Sequence, residues 1–405
     1  PAVVVNYYGP TFSSAVHSAQ RVYNDYEDYQ ETSVQTVPES GFNIYSDGDR
    51  EGFFTLINGP EEVENSLVRL EVFNHKGDRL EGTIELGPLA PYQCEWVTLS
   101  DHMDLQDFLE GQVGCCKMHF AVNWIYPRLI VGNYLQSKHA LNVTHSYYDC
   151  TDAKSSGDYW HSAMEDWYPA NLMLPLTVGK GEVTNAYFYP IISPSTLAIH
   201  AEIYSASGQL LGRKERALTI RSPAQSQYCI PFQEICRELD IDTHQSLGGR
   251  VLCETIEGGR IPARLKIGLD LGFTGKGLPC NVCTNLLPFN PSLEHKPHCF
   301  RWAPILADQE HSSVWLLNSS PAKAYHRSAT VNLVFFREED DHTLTRQITL
   351  APHGHLRIAA EGDDELRSFL KGRIGWFTAS SDCPYISSYF FTQHASGVVG
   401  GDHGF

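Results

Sequence analysis

The side chains best suited to metal chemistry are cysteines and histidines in the stretch from residue 280 to residue 298. Two residues separate Cys280 from Cys283, eleven residues follow, and two residues again separate His295 from His298. Thiolate and imidazole groups at this spacing can bind one tetrahedral zinc ion, because a tight turn brings both members of a pair to one side of the chain. The histidine gap is shorter than in most zinc fingers, and no finger helix follows. The pattern therefore favours either a structural site for zinc or another transition metal, or an ordinary connecting loop.

A second group of side chains follows two similar stretches of sequence. The pattern Tyr-(four residues)-His-Ala begins at Tyr134 and again at Tyr389. The candidate ligand-binding residues at these two tails are His139, His145, His394, Asp402 and His403. A carboxylate beside an imidazole can orient the ring, and neutral imidazoles are the commonest metal ligands. These residues either bond loop carbonyls or form a site shared between distant parts of the chain.

Aromatic and acidic residues alternate in the stretch from 149 to 168. Trp160 and Trp167 stand close to Asp158, Glu165 and other carboxylates. Aromatic rings beside acids can form a platform on which a sugar ring stacks while the acids bond its hydroxyl groups. The same composition also suits a linker packed between two domains. Trp160 and Trp167 are therefore candidates for carbohydrate binding or for interdomain packing.

The elements that carry these residues occur three times in the sequence. Each copy has an apolar run closed by a turn signal, two strands of alternating apolar and polar residues, a short amphipathic helix and a final apolar strand. The clearest copy spans residues 314–394, and similar patterns begin near residues 53 and 187. Alternation with period two is typical of strands with one face inward, and about seven strands in about 105 residues is typical of an immunoglobulin-like or fibronectin-like sandwich.

The sequence therefore predicts an all-β protein of three tandem immunoglobulin-like or fibronectin-like β-sandwich repeats, with short capping helices and an N-terminal arm. The expected divisions are a tyrosine-rich arm at 1–40, repeat one at 41–148, an aromatic and acidic linker at 149–167, repeat two at 168–273, a Cys/His-containing linker at 274–300, and repeat three with a Gly/His-rich tail at 301–405.

Composition restricts the partners. The formal net charge is −18, which argues against binding to nucleic acid, since that requires basic surfaces. No apolar run approaches the ~20 residues needed to span a bilayer. Eleven cysteines are scattered, and several stand in strand or helix patterns, so a reducing, cytoplasmic compartment is favoured over a secreted one.

Two functions fit these observations. The first is a non-catalytic scaffold, adhesion or assembly subunit that binds protein partners or itself, because the sequence contains no phosphate loop, nucleophile elbow or His-Glu-x-x-His motif. The alternative is a metal- or carbohydrate-dependent enzyme or binding protein, with a site formed between repeats by the histidine-bearing tails. The alternative requires the repeats to pack against one another and not to extend like beads.

Overall fold

The computed structural model is an all-β protein whose sheets are antiparallel. It describes the whole chain apart from residues 1, 20–33, 60–61, 124–127, 146, 149–159, 163–169, 192, 194, 222–224, 263–264, 276, 287–292, 294–295, 297, 307–310, 323 and 405. Three short α-helices occur in this described part: α1 (Leu105–Leu109), α2 (Phe232–Glu238) and α3 (Asp364–Leu370). None of the helices described has the length and apolar character to cross a lipid bilayer.

The chain begins with a β-hairpin formed by β1 (Ala2–Gly9) and β2 (Phe12–Ala19). The two strands pair from Gly9 with Phe12 back to Ala2 with Ala19, so Pro10 and Thr11 form the turn. Every residue of β2 from Ser13 to His17 is buried. The first part of the expected tyrosine-rich arm is therefore a hairpin in which β2 is buried, while β1 lies at the surface with Val5 and Tyr8 exposed.

In its described residues, the first unit has two sheets built from eight main strands and one short additional strand. The main strands are β3 (Val34–Ile44), β4 (Arg50–Ile57), β5 (Val63–Phe73), β6 (Arg79–Leu89), β7 (Cys94–Thr98), β8 (Gly114–Asn123), β9 (Arg128–Leu135) and β10 (Ala140–His145). One sheet has the order β3-β8-β5-β6 and the other the order β10-β9-β4-β7; β11 (Tyr147–Tyr148) adds to the free edge of β3. Alternate residues of β5, Val68, Leu70 and Val72, share one core with Phe54 and Val131 of the facing sheet.

The second unit repeats this arrangement. After the short β12 (Trp160–Ser162), its strands are β13 (Ala170–Leu176), β14 (Glu182–Phe188), β15 (Thr196–Ser205), β16 (Leu210–Ile220), β17 (Tyr228–Pro231), β18 (Leu247–Glu257), β20 (Leu265–Phe273) and β21 (Val282–Leu286). The sheet orders are β13-β18-β15-β16 and β17-β14-β20-β21, while β19 (Arg260–Pro262) pairs with β12.

The third unit is formed by β22 (Cys299–Leu306), β23 (His311–Asn318), β24 (Ala329–Arg337), β25 (Asp340–Leu350), β26 (His355–Ala359), β27 (Ile374–Ser381), β28 (Ile386–Gln393) and β29 (Val399–His403). Its sheet orders are β22-β27-β24-β25 and β26-β23-β28-β29. In β24, Val331, Leu333 and Phe335 enter the core while Asn332 is exposed, as period-two alternation requires.

The strand order is the same in all three units. The first, sixth, third and fourth strands form one sheet, and the fifth, second, seventh and eighth form the other. Each α-helix lies where the chain crosses from the fifth strand to the sixth, which belongs to the opposite sheet. Leu105 and Leu109 of α1 are four residues apart and both buried, so one face of the helix closes an end of the core.

The eighth strands and the turns before them bring the three units together with the hairpin. One apolar cluster contains Leu135 and Ala140 of the first unit, Leu278 of the second, Val398 of the third and, at its edge, Phe12 of the hairpin. Gly277 has a φ of +61°, and a Cβ at this position would lie 2.0 Å from the carbonyl oxygen of Gly397. The units are therefore packed against one another and not extended like beads.

Several boundaries differ from those that the sequence indicates. The first strand of the first unit begins at Val34, and the segment 274–300 contains β21, the eighth strand of the second unit. Most of the segment 149–167 lies outside the described residues. The ten cysteines of the described chain are thiols and form no disulfide.

Candidate functional site

Four side chains from three distant segments meet at the junction between the hairpin, the first unit and the third unit. His17 lies in β2, His145 is the last residue of β10, and Asp402 and His403 end β29. Their candidate ligand atoms, one per residue, all lie within 4.8 Å of one another. We refer to these four residues as the His/Asp cluster; among the residues that the structure describes, it is the one group of three or more such side chains close enough to hold a metal ion.

Strand β2 is held between the two units by hydrogen bonds that its Ser14 side chain and its Ser13 carbonyl accept. The Val143 N–H in β10 donates to Ser14 Oγ at 2.9 Å, and Thr392 Oγ1 in β28 donates to the Ser13 carbonyl at 2.8 Å. Gly400 lets β29 approach this strand, because a Cβ there would lie 1.9 Å from the Ser13 oxygen. The strands that carry the cluster are therefore fixed by contacts several residues away from it.

Asp402 is the centre of the hydrogen bonding in the cluster. Its Oδ2 accepts from the His17 backbone N–H at 3.0 Å and lies 2.8 Å from His17 Nδ1. Its Oδ1 accepts from the His403 N–H at 2.8 Å. Nδ1 of His403 lies 3.3 Å from the Gly404 carbonyl. If both rings use Nδ1 as the N–H donor in these contacts, Nε2 is the nitrogen that remains to bind a metal.

The cluster is almost entirely removed from solvent. His145 is 1% exposed, Asp402 3% and His17 7%. Burial acts to raise the pKa of Asp402, whereas the hydrogen bond from His17 and the nearby imidazoles act to lower it. The lowering effects are together the larger, so the pKa lies below its usual value. Burial lowers the pKa of His403 despite the nearby Asp402 carboxylate. An ionised carboxylate and a neutral imidazole are the forms that bind metal ions.

The dimensions of the cluster are close to those of a tetrahedral site for one ion, and they require a small contraction. With Zn–N distances of about 2.0–2.1 Å, imidazole ring centroids around one zinc ion lie about 5 Å apart. The observed centroid separations are 4.3 Å for His17 and His145, 4.5 Å for His17 and His403, and 6.2 Å for His145 and His403. The longest ligand-atom separation, 4.8 Å, would shorten by about 1.4 Å in a tetrahedral complex, a change within the reach of side-chain rotation.

Of the tail residues indicated by the sequence, the structure brings together His145, Asp402 and His403. The other two histidines lie in the turns before the eighth strands. His139 has a φ of +46°, and its Nδ1 lies 3.1 Å from Tyr134 Oη. The Ser396 N–H donates to His394 Nδ1 at 3.1 Å. These contacts place the rings in local turns, outside the His/Asp cluster.

Among the residues that the structure describes, the predicted zinc ligands do not form a single site. Cys280 is buried in the core of the second unit, where its Sγ lies 3.4 Å from the Leu271 N–H, and Cys283 is buried on β21. Burial raises the pKa of the Cys280 thiol. His298 is exposed and His295 lies outside the described residues. Binding of zinc by these four residues stays a prediction.

The two tryptophans of the aromatic stretch also stay predictions. Trp160 lies in β12, whose backbone pairs with β19, and Trp167 is outside the described residues. His17 was missed by sequence reasoning altogether. It stands 385 residues before Asp402, in a strand that has no counterpart in the repeats. The spacing of residues in the sequence could not have indicated that His17 and Asp402 are neighbours. They become neighbours only because β2 is buried beside the strand that carries Asp402.

Comparisons with known proteins give little further information. No protein-family model matches the chain, and no curated protein matches it. Fourteen chains of solved structures match. One of them is described as a biofilm associated protein, BSP domain; it is 8% identical, with 95% of this chain and 83% of that chain covered, and the TM-score is 0.18. A TM-score this low supports no argument about fold or function.

Proposed function

We propose that this chain is a metal-binding, non-catalytic protein in which one transition-metal ion, best suited to be zinc, joins the N-terminal hairpin to the first and third units. The observation that carries the proposal is the convergence of three imidazoles and one carboxylate in the His/Asp cluster. Nitrogen and carboxylate donors in this number suit a four-coordinate zinc ion. The sequence suggested a site between repeats at the two histidine-bearing tails, for either a metal ion or a carbohydrate, and this proposal chooses the metal ion.

The burial of the four side chains supports a structural and not a catalytic ion. A structural zinc site is closed by four protein ligands, whereas a catalytic site keeps one position open for water or substrate. Here the cluster provides four candidate ligands, and His17, His145 and Asp402 are nearly inaccessible.

The ion would couple parts of the chain that are far apart in sequence. His17 belongs to the hairpin, His145 to the first unit, and Asp402 with His403 to the third. Because no such site exists in an unfolded chain, the free energy of metal binding becomes free energy of folding. We expect the ion to hold β2 in place and to stabilise the association of the first and third units.

For the protein as a whole, we propose three repeats of an immunoglobulin-like or fibronectin-like sandwich that act as a scaffold, adhesion or assembly subunit. The shared strand order and the shared cores of facing sheets support the repeats. An apolar patch on the outer face of the β22-β27-β24-β25 sheet supports protein partners or self-assembly: Phe300 is 53% exposed, Ile374 44% and Trp376 41%. Exposed apolar patches of this kind commonly mark contact surfaces.

Metal analysis of the purified protein tests the proposed site. After removal of bound metal with EDTA and dialysis, Zn²⁺ or Co²⁺ is added back, and bound metal is measured by mass spectrometry and calorimetry. We expect about one equivalent per chain, a higher Tm with Zn²⁺, and the visible absorption of tetrahedral Co²⁺. Amide hydrogen exchange in β2 should slow when the metal binds, since the ion restrains that strand.

Matched variants locate the ion. His145→Asn and Asp402→Asn each remove one candidate ligand from a different unit and should reduce bound metal below about a tenth of an equivalent. His139→Ala removes an exposed histidine of the same first unit and should leave the stoichiometry unchanged. Circular dichroism verifies the fold of each variant. Less than about a tenth of an equivalent in the wild type, or full binding by both ligand variants, would reject the site.

A further inference from the structure

A cavity lies on the first unit, apart from the His/Asp cluster. It has a volume of about 340 Å³ and occupies the outer face of the β10-β9-β4-β7 sheet. Phe53, Trp96 and Tyr134 provide its aromatic walls, and Glu51 and Gln136 its main polar groups. Small-molecule sites in proteins combine apolar and aromatic walls with a few polar groups in this way, at volumes from about 300 Å³ upward.

The floor of this cavity is a rigid aromatic platform. The rings of Trp96 and Phe53 are stacked, with centroids 3.8 Å apart and an interplanar angle of 17°. Phe53 is buried against Val16 of the hairpin and Val143 of β10. Trp96 Nε1 donates to Thr98 Oγ1 at 3.2 Å. The indole is therefore held from beneath and at its edge, while half of its surface, 50%, stays exposed.

Two polar side chains of the cavity wall have unused hydrogen-bonding capacity. Within the described chain, neither the Glu51 carboxylate nor the Gln136 amide makes a side-chain hydrogen bond or an ion pair, although neighbouring Asp49 and Arg50 are both bonded. Together they offer two carboxylate acceptors, one amide acceptor and two amide donors. The cavity thus combines a fixed, flat apolar surface with free donors and acceptors at its side.

These properties match a neutral carbohydrate better than other ligands. One face of a sugar ring carries C–H groups that pack on the electron-rich face of an indole, while its hydroxyl groups both donate and accept. An anionic ligand is disfavoured by Glu51 and by the net charge of −18. An organic cation is best held by several rings around it. Here Trp96 and Phe53 are stacked in parallel and present one plane, which leaves Tyr134 as the one further ring in the lining.

We propose that the cavity formed by Trp96, Phe53, Tyr134, Glu51 and Gln136 binds a neutral mono- or disaccharide unit, with Trp96 as the stacking surface. Glu51 accepts hydrogen bonds from sugar hydroxyl groups, and Gln136 both donates and accepts. None of the residues that line this cavity belongs to the His/Asp cluster, so the two proposed sites are distinct.

Fluorine NMR of protein labelled with 5-fluorotryptophan tests this site. Trp96→Phe assigns the Trp96 resonance, and the labelled wild type is screened on a glycan array and titrated with cellobiose, maltose, xylobiose and diacetylchitobiose, with and without EDTA. We expect at least one neutral saccharide to shift the Trp96 resonance saturably under both conditions. Glu51→Gln and Gln136→Ala should weaken that affinity, Glu51→Gln by about tenfold or more, because hydrogen bonds to a charged group are the stronger ones.

Trp376 supplies the matched control. It is also a partly exposed tryptophan stacked on a phenylalanine, Phe336, with an interplanar angle of 7°. Trp376→Phe should leave saccharide affinity unchanged. Loss of binding in Trp376→Phe but not in Trp96→Phe would overturn the assignment. So would the absence of any saccharide response on the array and in the titrations, or a Trp96 shift produced by tetramethylammonium chloride and by no saccharide.

Discussion

Raising the pH should weaken the contact between the first and second units through Asp270. This carboxyl lies on β20, is 2% exposed, and accepts hydrogen bonds from Asn43 Nδ2 of the first unit at 2.9 Å and from Asn281 Nδ2 at 2.7 Å. Burial raises its pKa to about 7 from the ordinary value of 3.8, although the two amide hydrogen bonds act in the opposite direction. No cationic side chain is among the causes that set this pKa.

The magnitude follows from the difference between the folded and unfolded pKa values. Well below pH 4 Asp270 is protonated in both states, so the pH has no effect through this group. Between about pH 4 and pH 7 the unfolded chain releases the proton while the folded chain keeps it, so the free energy of unfolding falls by up to about 1.4 kcal/mol per pH unit. The ionisation of Asp270 alone should therefore lower the free energy of unfolding by about 4 kcal/mol between pH 4 and pH 8.

Urea unfolding of the wild type and of Asp270→Asn between pH 4 and pH 8 isolates this effect. The amide does not titrate, and any cost of placing it beside Asn43 and Asn281 is independent of pH. The difference in unfolding free energy between the two proteins should therefore shift by about 4 kcal/mol in favour of the variant as the pH rises. A difference that stays constant over this range would refute the assignment of a raised pKa to Asp270.

Two further predictions concern stability and assembly. Arg250 Nη1 donates to Glu202 Oε2 at 3.2 Å, and both side chains are buried. Arg250→Met should lower the free energy of unfolding by about 2–4 kcal/mol, because the buried Glu202 carboxylate loses one partner and keeps only Arg213 as its cationic partner. A loss below about 0.5 kcal/mol in urea unfolding would contradict this expectation. On the third unit, the double substitution Phe300→Ser and Trp376→Ser should abolish concentration-dependent association, because it removes exposed apolar contact area. Sedimentation velocity measures this association. A wild-type protein that is monomeric at all concentrations would contradict self-assembly.

The alternation of apolar and polar residues was sufficient to predict an all-β chain with short helices. In β24 the buried and exposed positions follow directly from the sequence of Val331, Asn332 and Leu333, because consecutive side chains of a strand point to opposite faces. The helix at Leu105 and Leu109 could likewise be predicted, since apolar residues four apart share one face. Such patterns act within one element, so they can be read without knowing where the element lies.

The candidate sites depend on which elements meet, and the sequence does not encode this locally. His145, Asp402 and His403 could be singled out because each follows a recognisable strand pattern. His17 could not, since its proximity to Asp402 arises only when the hairpin packs between the first and third units. Cys280 is a different case: its spacing suggests a metal ligand, its side chain lies in the core of the second unit just before β21, and zinc binding there stays a prediction. Periodicity determines which face of a strand is apolar; the packing of whole units determines which side chains become neighbours.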